Sequence, residues 1–233
     1  MIVTETCNYI EVDHVSKTYT VDAHTIWAVN DSCAIFREGY LILILGPSGS
    51  GKTTLLTLVA GFAGPTSGKI KIFGNDLSRM SSKQLQSFRA EKIGFIFQNF
   101  LLLEWLTVEE NVALVAEFAE GDGVSPRLKA QRALEKVGIL HLAGRNPANL
   151  SQGEKQRVAI ARASVNSPSL ILADEPTASL ESKQGFEIIK LLHSMAKQEN
   201  RCVIVASHDL RLTDFADEIF IIEDGRFRKS DGT

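Results

Sequence analysis

The densest chemistry in this chain lies in GPSGSGKTT, Gly46 to Thr54, between the apolar run Leu41 to Leu45 and the apolar-rich LLTLVAGF. Gly46 and Gly51 bracket Pro47, Ser48, Gly49 and Ser50, and Lys52, Thr53 and Thr54 follow at once. That is the spacing of a phosphate-binding loop between a strand and a helix. Glycines let the backbone curl until successive amide N–H groups point inward at phosphate oxygens. Lys52 then sets a cation against the β- and γ-phosphates, Thr53 offers a hydroxyl to Mg²⁺, and the first helical turn adds partial positive charge. A glycine-rich turn is the plain alternative, which the full spacing and the flanking elements disfavour. The expected ligand is a nucleoside triphosphate, and the loop alone leaves the reaction open.

Other groups supply candidates for that reaction. SLILADEP, Ser169 to Pro176, reads as a buried strand ending in two carboxylates. Asp174 suits Mg²⁺ coordination through water, and Glu175 can polarise a water for attack on the γ-phosphate. Adjacent acids at a strand end are commonly only solvated, but beside a triphosphate loop the pair is what hydrolysis requires. CVIVASH places His208 just past another strand, within reach of a γ-phosphate, whereas His14, His24, His141 and His193 have no such context. IGFIFQ ends in Gln98, which either ligates Mg²⁺ or holds the attacking water, or simply ends a strand. In LSQGEKQRVAIARA, Ser151 and Glu154 stand in capping-box spacing around Gln152 and Gly153. This helix start is a second anion-seeking end, far from the first in sequence. VSKTY ends in Tyr19, whose ring either stacks on a purine or packs as a half-exposed strand residue.

These groups need strands and helices to hold them. Tyr9 to Val15 tends to alternate apolar and polar, AVNDSCAIF supplies a second strand, and VSKTY lies between them. Gly64 to Gly68 reads as a turn before the short strand KIKIFG, and helical spacing follows around Gln84 to Arg89. FLLLEWL, Phe100 to Leu106, is either ordinary core or the lining of an exposed groove for a partner's helix. Ser125-Pro126 opens a helix with Ala130, Ala133, Leu134 and Val137 on its apolar face, and Gly138 closes it. Ile188, Leu191, Leu192 and Met195 are helical core positions, and IFIIEDGRF is a hairpin turning at Asp224-Gly225.

Composition sets the outer limits. The 233 residues suffice for one large α/β domain or two small ones. A net charge of −3 gives no electrostatic reason to expect nucleic acid. Cys7, Cys33 and Cys202 are odd in number and far apart, which suggests neither a disulfide framework nor a zinc cluster, and fits a reducing cytosolic setting. No apolar run approaches the roughly 20 residues of a membrane span. The segment MIVTETCNYIEVD lacks the pattern of a signal peptide. A membrane role is therefore expected to come through a partner.

VSKTY, GPSGSGKTT, IGFIFQ, LSQGEKQRVAIARA, LILADEPTASLES and VIVASHD, in that order, resemble the motifs of the ATP-binding subunit of an ABC transporter over nearly the whole chain. The run from IGFIFQ through LTVEENVAL looks closest to the lipoprotein-releasing and macrolide-exporting (LolD/MacB-like) branch. The resemblance implies a P-loop NTPase with a RecA-like α/β core, an N-terminal antiparallel β-subdomain and an inserted helical subdomain. As domain limits it implies a single ATPase domain over 8–233, with the insertion at about 99–162. It implies ATP and Mg²⁺ as ligands and a head-to-tail dimer with a second copy or a homologous subunit. Tyr19 would meet adenine, and Lys52 with the loop amides of Gly46 to Thr54 would meet phosphates. Thr53 and Gln98 would bind Mg²⁺, Asp174 its water shell, Glu175 would be the general base and His208 the γ-phosphate switch. Ser151, Gln152, Gly153 and Glu154 would contact ATP in trans.

A permease would dock near Gln98 and Phe100 to Leu106, holding the subunit on the cytoplasmic face of the plasma membrane without insertion or nucleic-acid binding. A regulatory ATPase that signals without transport is the competing expectation. Two departures stand out. LSQGE replaces the usual LSGGQ, and Leu180-Glu181 replaces the usual Leu-Asp.

Overall fold

The computed structural model describes residues 8–22, 24–119 and 123–230; Cys7 and the rest of the N-terminal stretch through residue 7 lie outside them. The chain runs β1 (Tyr9–Val21), β2 (His24–Arg37), β3 (Leu41–Leu45), α1 (Lys52–Val59), β4 (Ser67–Ile72), β5 (Asn75–Asp76), α2 (Ser82–Lys92) and β6 (Ile93–Ile96). Then follow α3 (Val108–Ala116), α4 (Pro126–Lys136), α5 (Gln152–Ser164), β7 (Leu170–Asp174), α6 (Ser182–Gln198), β8 (Cys202–Ser207), β9 (Glu218–Glu223) and β10 (Arg226–Lys229). A six-stranded sheet has the order β10-β9-β3-β8-β7-β6, and a four-stranded sheet the order β2-β1-β4-β5. All pairings from β9 through β6 are parallel, β10 is antiparallel to β9, and every pairing of the smaller sheet is antiparallel. The α/β architecture with a small antiparallel sheet is therefore as expected.

The strands β3, β7 and β8 are buried at every residue because both faces of the parallel sheet are covered. Leu41, Leu43 and Leu45 face one core with residues of α3, α5 and α6, while Ile42 and Ile44 face the other, with α1 and the smaller sheet. Period-two alternation thus sorts one apolar run between two cores. Among the described residues no helix is long and apolar enough to cross a membrane.

Local signals hold where they were strongest. Ser125 caps α4, accepting from the Leu128 N–H, with Pro126 in the first turn and Gly138 at φ +78° just beyond the helix. Arg226 opposes Glu223 across the Asp224-Gly225 turn. Two readings change. VSKTY is no connection: β1 continues through it to Val21, and Tyr19 pairs with Ile26 of β2. Register shifts between Val12 and Val15 and around Lys17 break the alternation that would have revealed the longer strand. FLLLEWL splits between its two expected roles, since Phe100 and Leu102 pack on the core while Leu101 and Leu103 line an open cavity and Trp105 is 78% exposed.

The Glu181 departure has a local consequence. Glu181 occupies the N-cap of α6 and its side chain makes no capping hydrogen bond, because a glutamate carboxylate overreaches the amides that an aspartate would meet. Glu181→Asp is expected to raise stability by about 0.5–1 kcal/mol, read as a higher urea midpoint at constant slope. An unchanged midpoint would refute the missing cap.

Candidate functional site

Four adjacent parallel strands end side by side, and each delivers one piece of the site. The glycine loop follows β3, His208 follows β8, Glu175 follows β7 and Gln98 lies two residues past β6. Leu45 pairs with Ser207, Asp174 with Ala206 and Ala173 with Ile96, so the carboxyl ends are level. In an open α/β sheet this edge is where ligands bind.

The loop is shaped by close backbone approach. Gly51, at φ +107°, would place a Cβ only 2.0 Å from the Ala28 carbonyl oxygen, and a Cβ on Gly46 would sit 2.4 Å from that of Ile222. No other residue fits either position without displacing β2 or β9. The turn after β9 braces the loop from outside: the Gly225 N–H donates to the Ser50 carbonyl at 3.2 Å, and Asn30 N–H donates to the Gly225 carbonyl at 2.7 Å. Sequence reasoning saw that turn only as the end of a hairpin, since nothing local links residue 225 to residue 50.

Lys52 is 6% exposed, and its ammonium donates to the carbonyls of Gly46 at 2.8 Å and Pro47 at 3.0 Å. It also lies 3.5 Å from Glu175 Oε1. A cation is thereby stored inside the loop curl, where phosphate oxygens compete for it. Thr53 Oγ1 donates to Asp174 Oδ2 at 2.8 Å, while the other carboxylate oxygen, Oδ1, is buried without a partner. Burial pushes the Asp174 carboxyl above its ordinary value, against the lowering effect of the Thr53 hydrogen bond. An orphaned carboxylate oxygen beside a threonine hydroxyl is the oxygen donor set that suits Mg²⁺ and its waters.

Glu175 takes φ +47°, a left-handed turn out of β7, and its N–H donates to the Ala206 carbonyl at 2.9 Å. The turn aims the carboxylate at β8, where His208 Nδ1 lies 3.0 Å from each of its oxygens and Ser207 Oγ donates to Oε2 at 3.4 Å. Ser207 is a site contact that sequence reasoning missed; its place beside His208 at a strand end was the available signal. Gln98 is exposed at the edge beside β7, with its side chain open to solvent. Tyr19 is 44% exposed on the hairpin, with Lys17 Nζ 5.4 Å from its ring centre.

The second helix start is formed as the capping box required. Ser151 Oγ accepts from the Glu154 N–H at 3.4 Å, while Glu154 Oε2 accepts from the Ser151 N–H at 2.8 Å and from its hydroxyl at 2.7 Å. Those bonds hold the Glu154 carboxyl below its usual range and turn it back on Ser151. Gln152 is exposed, and a Cβ on Gly153 would come 3.3 Å from Gln184 Oε1 at the start of α6. Among the described residues, no hydrogen bond joins positions 151–154 to the glycine loop.

Comparison with known proteins agrees with this arrangement. The family model described as ABC transporter matches residues 29–178. An uncharacterised ABC transporter ATP-binding protein of Methanocaldococcus jannaschii, MJ0796, is 37% identical over 95% of this chain and 96% of its own.

The chain belongs to the ABC transporter ATP-binding proteins.

As a member of that family it is an ATP hydrolase. The lipoprotein-releasing system ATP-binding protein LolD of Shewanella frigidimarina is 38% identical over 93% of this chain and 90% of its own. Macrolide export ATP-binding/permease protein MacB of Chlorobaculum tepidum is 35% identical over 93% of this chain, which spans 33% of it. A solved dimer of MJ0796 in a post-hydrolysis state, bound to ADP and Pi, superposes with a TM-score of 0.88 at 35% identity, covering 96% of this chain and all of that one. In an ABC ATPase the Asp174 environment has a measurable cost. Its raised pKa means that the folded chain holds the proton more tightly than the unfolded chain, so stability falls as pH rises from about 4 through the raised value. Asp174→Asn keeps an acceptor for Thr53 and removes the buried charge. It should raise the melting temperature of the nucleotide-free protein at neutral pH, less so below about pH 4, while cutting ATP turnover at least ~10-fold. An unchanged or lower melting temperature would contradict the burial cost.

Proposed function

We propose that this chain is the motor subunit of a membrane transporter, forming one ATPase domain over residues 8–233 with a helical insertion at 99–162. Two copies, or one copy and a homologous subunit, would pair head to tail with ATP between the glycine loop of one and the Ser151 helix start of the other. The observation that carries this reading is the division of the two anion-seeking ends. The loop is joined to Glu175 and Asp174 within the chain, whereas Ser151 to Glu154 are bonded to one another and open outward. The dimer of MJ0796 with ADP and Pi supports it.

In that reading Tyr19 stacks on adenine, Lys52 and the amides of Gly46 to Thr54 grip the phosphates, and Ser151, Gln152 and Gly153 approach from the partner copy. Thr53, Asp174 and Gln98 would hold Mg²⁺, which neutralises charge on the phosphates when bound. Glu175 takes the proton of the attacking water, and His208, 3.0 Å from its carboxylate, orients it and senses the γ-phosphate. Glu154, already bonded to Ser151, keeps its charge away from the phosphates.

The permease would sit over a cavity of about 490 Å³ lined in part by Phe62, Arg89, Phe97, Leu101, Leu103 and Phe118. In this reading the permease would hold the subunit on the cytoplasmic face of the plasma membrane. The names LolD and MacB favour export or lipoprotein, peptide or lipid-type cargo. The test is light scattering of Glu175→Gln protein with and without ATP. A doubling of mass with ATP is expected, and a protein that stays monomeric at every concentration would defeat the proposal.

A further inference from the structure

Among the described side chains Glu175 has three polar partners, and two of them carry a second task. Lys52 Nζ lies 3.5 Å from Oε1, and His208 Nδ1 lies 3.0 Å from each carboxylate oxygen. In the proposed reaction Lys52 turns to the phosphates of ATP, and the exposed His208 turns to the γ-phosphate. Both are drawn off Glu175 when nucleotide arrives. The third partner, Ser207, is of a different kind. It is the last residue of β8, only 1% exposed, and its Oγ donates to Glu175 Oε2 at 3.4 Å.

Ser207 is held so that its single proton has one place to go. Its oxygen accepts from the Asp209 N–H at 3.1 Å, which engages a lone pair and sets the hydroxyl. Asp209 is itself gripped by Arg211, whose N–H, Nε and Nη2 reach its carboxylate at 3.0, 2.9 and 2.7 Å. Arg211 Nη1 also donates to Ser182 Oγ at 2.8 Å, so the turn after β8 is braced from the start of α6. One residue back, the Glu175 N–H donates to the Ala206 carbonyl at 2.9 Å and ties together the two backbones that carry these side chains. A contact of 3.4 Å is long for a hydroxyl donor in the nucleotide-free chain, and hydrogen bonds at a catalytic group tighten when substrate binds.

We infer that Ser207 is a positioning residue for hydrolysis: its hydroxyl holds Oε2 of Glu175, so that Oε1 stays aimed at the attacking water after Lys52 and His208 have turned to phosphate. The inference rests on the reading of Glu175 as general base. In that step a water O–H bond breaks and its proton passes to Glu175, while the oxygen bonds the γ-phosphorus and the bridging oxygen leaves with ADP. Ser207 gives up no proton and touches no nucleotide. It supplies angle: a carboxylate free to pivot loses the alignment on which a positioned base depends.

The experiment measures kcat, KM and ATP affinity for Ser207→Ala and Ser207→Thr, and repeats Ser207→Ala in the Glu175→Gln chain by single-turnover hydrolysis. Ser207→Ala is expected to lower kcat about tenfold while KM and ATP affinity stay within about twofold. Ser207→Thr keeps the hydroxyl and should recover most of that rate. In the Glu175→Gln chain no base remains to be aimed, so Ser207→Ala should cost less than about twofold there. A serine that only caps the turn at Asp209 would slow both backgrounds alike, and that result overturns the inference. So does a kcat untouched by Ser207→Ala, or a Ser207→Thr chain that folds yet stays as slow as Ser207→Ala. In each of these cases a slow Glu175→Gln chain leaves the base reading standing. Turnover of Glu175→Gln near that of the unaltered chain removes the base, and the inference with it.

Discussion

Glu175→Gln is expected to bind ATP within about threefold of the unaltered chain and to lose at least ~100-fold of its turnover, the scale of a positioned general base. The amide is isosteric, so the left-handed turn at Glu175 and its N–H bond to Ala206 survive. What disappears is the acceptor for the proton of water. Loss of the negative charge 3.5 Å from Lys52 also frees that cation for phosphate, which keeps binding intact. Steady-state phosphate release with matched nucleotide titrations decides the matter. Turnover near that of the unaltered chain would remove Glu175 from the role of base.

The second large effect is expected from Lys52→Met, which should weaken ATP binding by roughly 10- to 100-fold, the scale of hydrogen bonds made by a charged group. Methionine fills a similar volume, so the loop curl and α1 are kept. The carbonyls of Gly46 and Pro47 lose their donor, and the half-buried Glu175 loses its neighbouring cation. Part of the penalty thus falls on the free protein, and its melting temperature should drop modestly. Calorimetric titration with ATP reads the main effect. An affinity within threefold would show that the amides alone hold the phosphates.

Much of the site was legible because each motif is short. The capping box at Ser151 needs only a helix start and a residue three places on, and it formed as read. The continuous apolar runs of β3, β7 and β8 read as strands, and the structure covers both their faces. Where periodicity was broken, legibility failed. β1 was cut short at Val15 because its bulges near Lys17 interrupt the alternation, and FLLLEWL gave no sign of dividing its residues between core and cavity. Nor could the left-handed turn at Glu175 be read from a glutamate, since that conformation is imposed by β8 rather than favoured by the residue.

The chain's residues alone determined which groups are candidates for the chemistry and which elements carry them, because glycine spacing, caps and buried runs act over a few neighbouring positions. Only the tertiary structure decided which groups touch. Lys52 meets Glu175, Thr53 meets Asp174, and Glu175 meets His208 because β3, β8 and β7 lie next to one another with level carboxyl ends. Strand order in a parallel sheet is set by crossovers and by burial on two faces. Those are properties of the whole packed chain, and no local pattern encodes them.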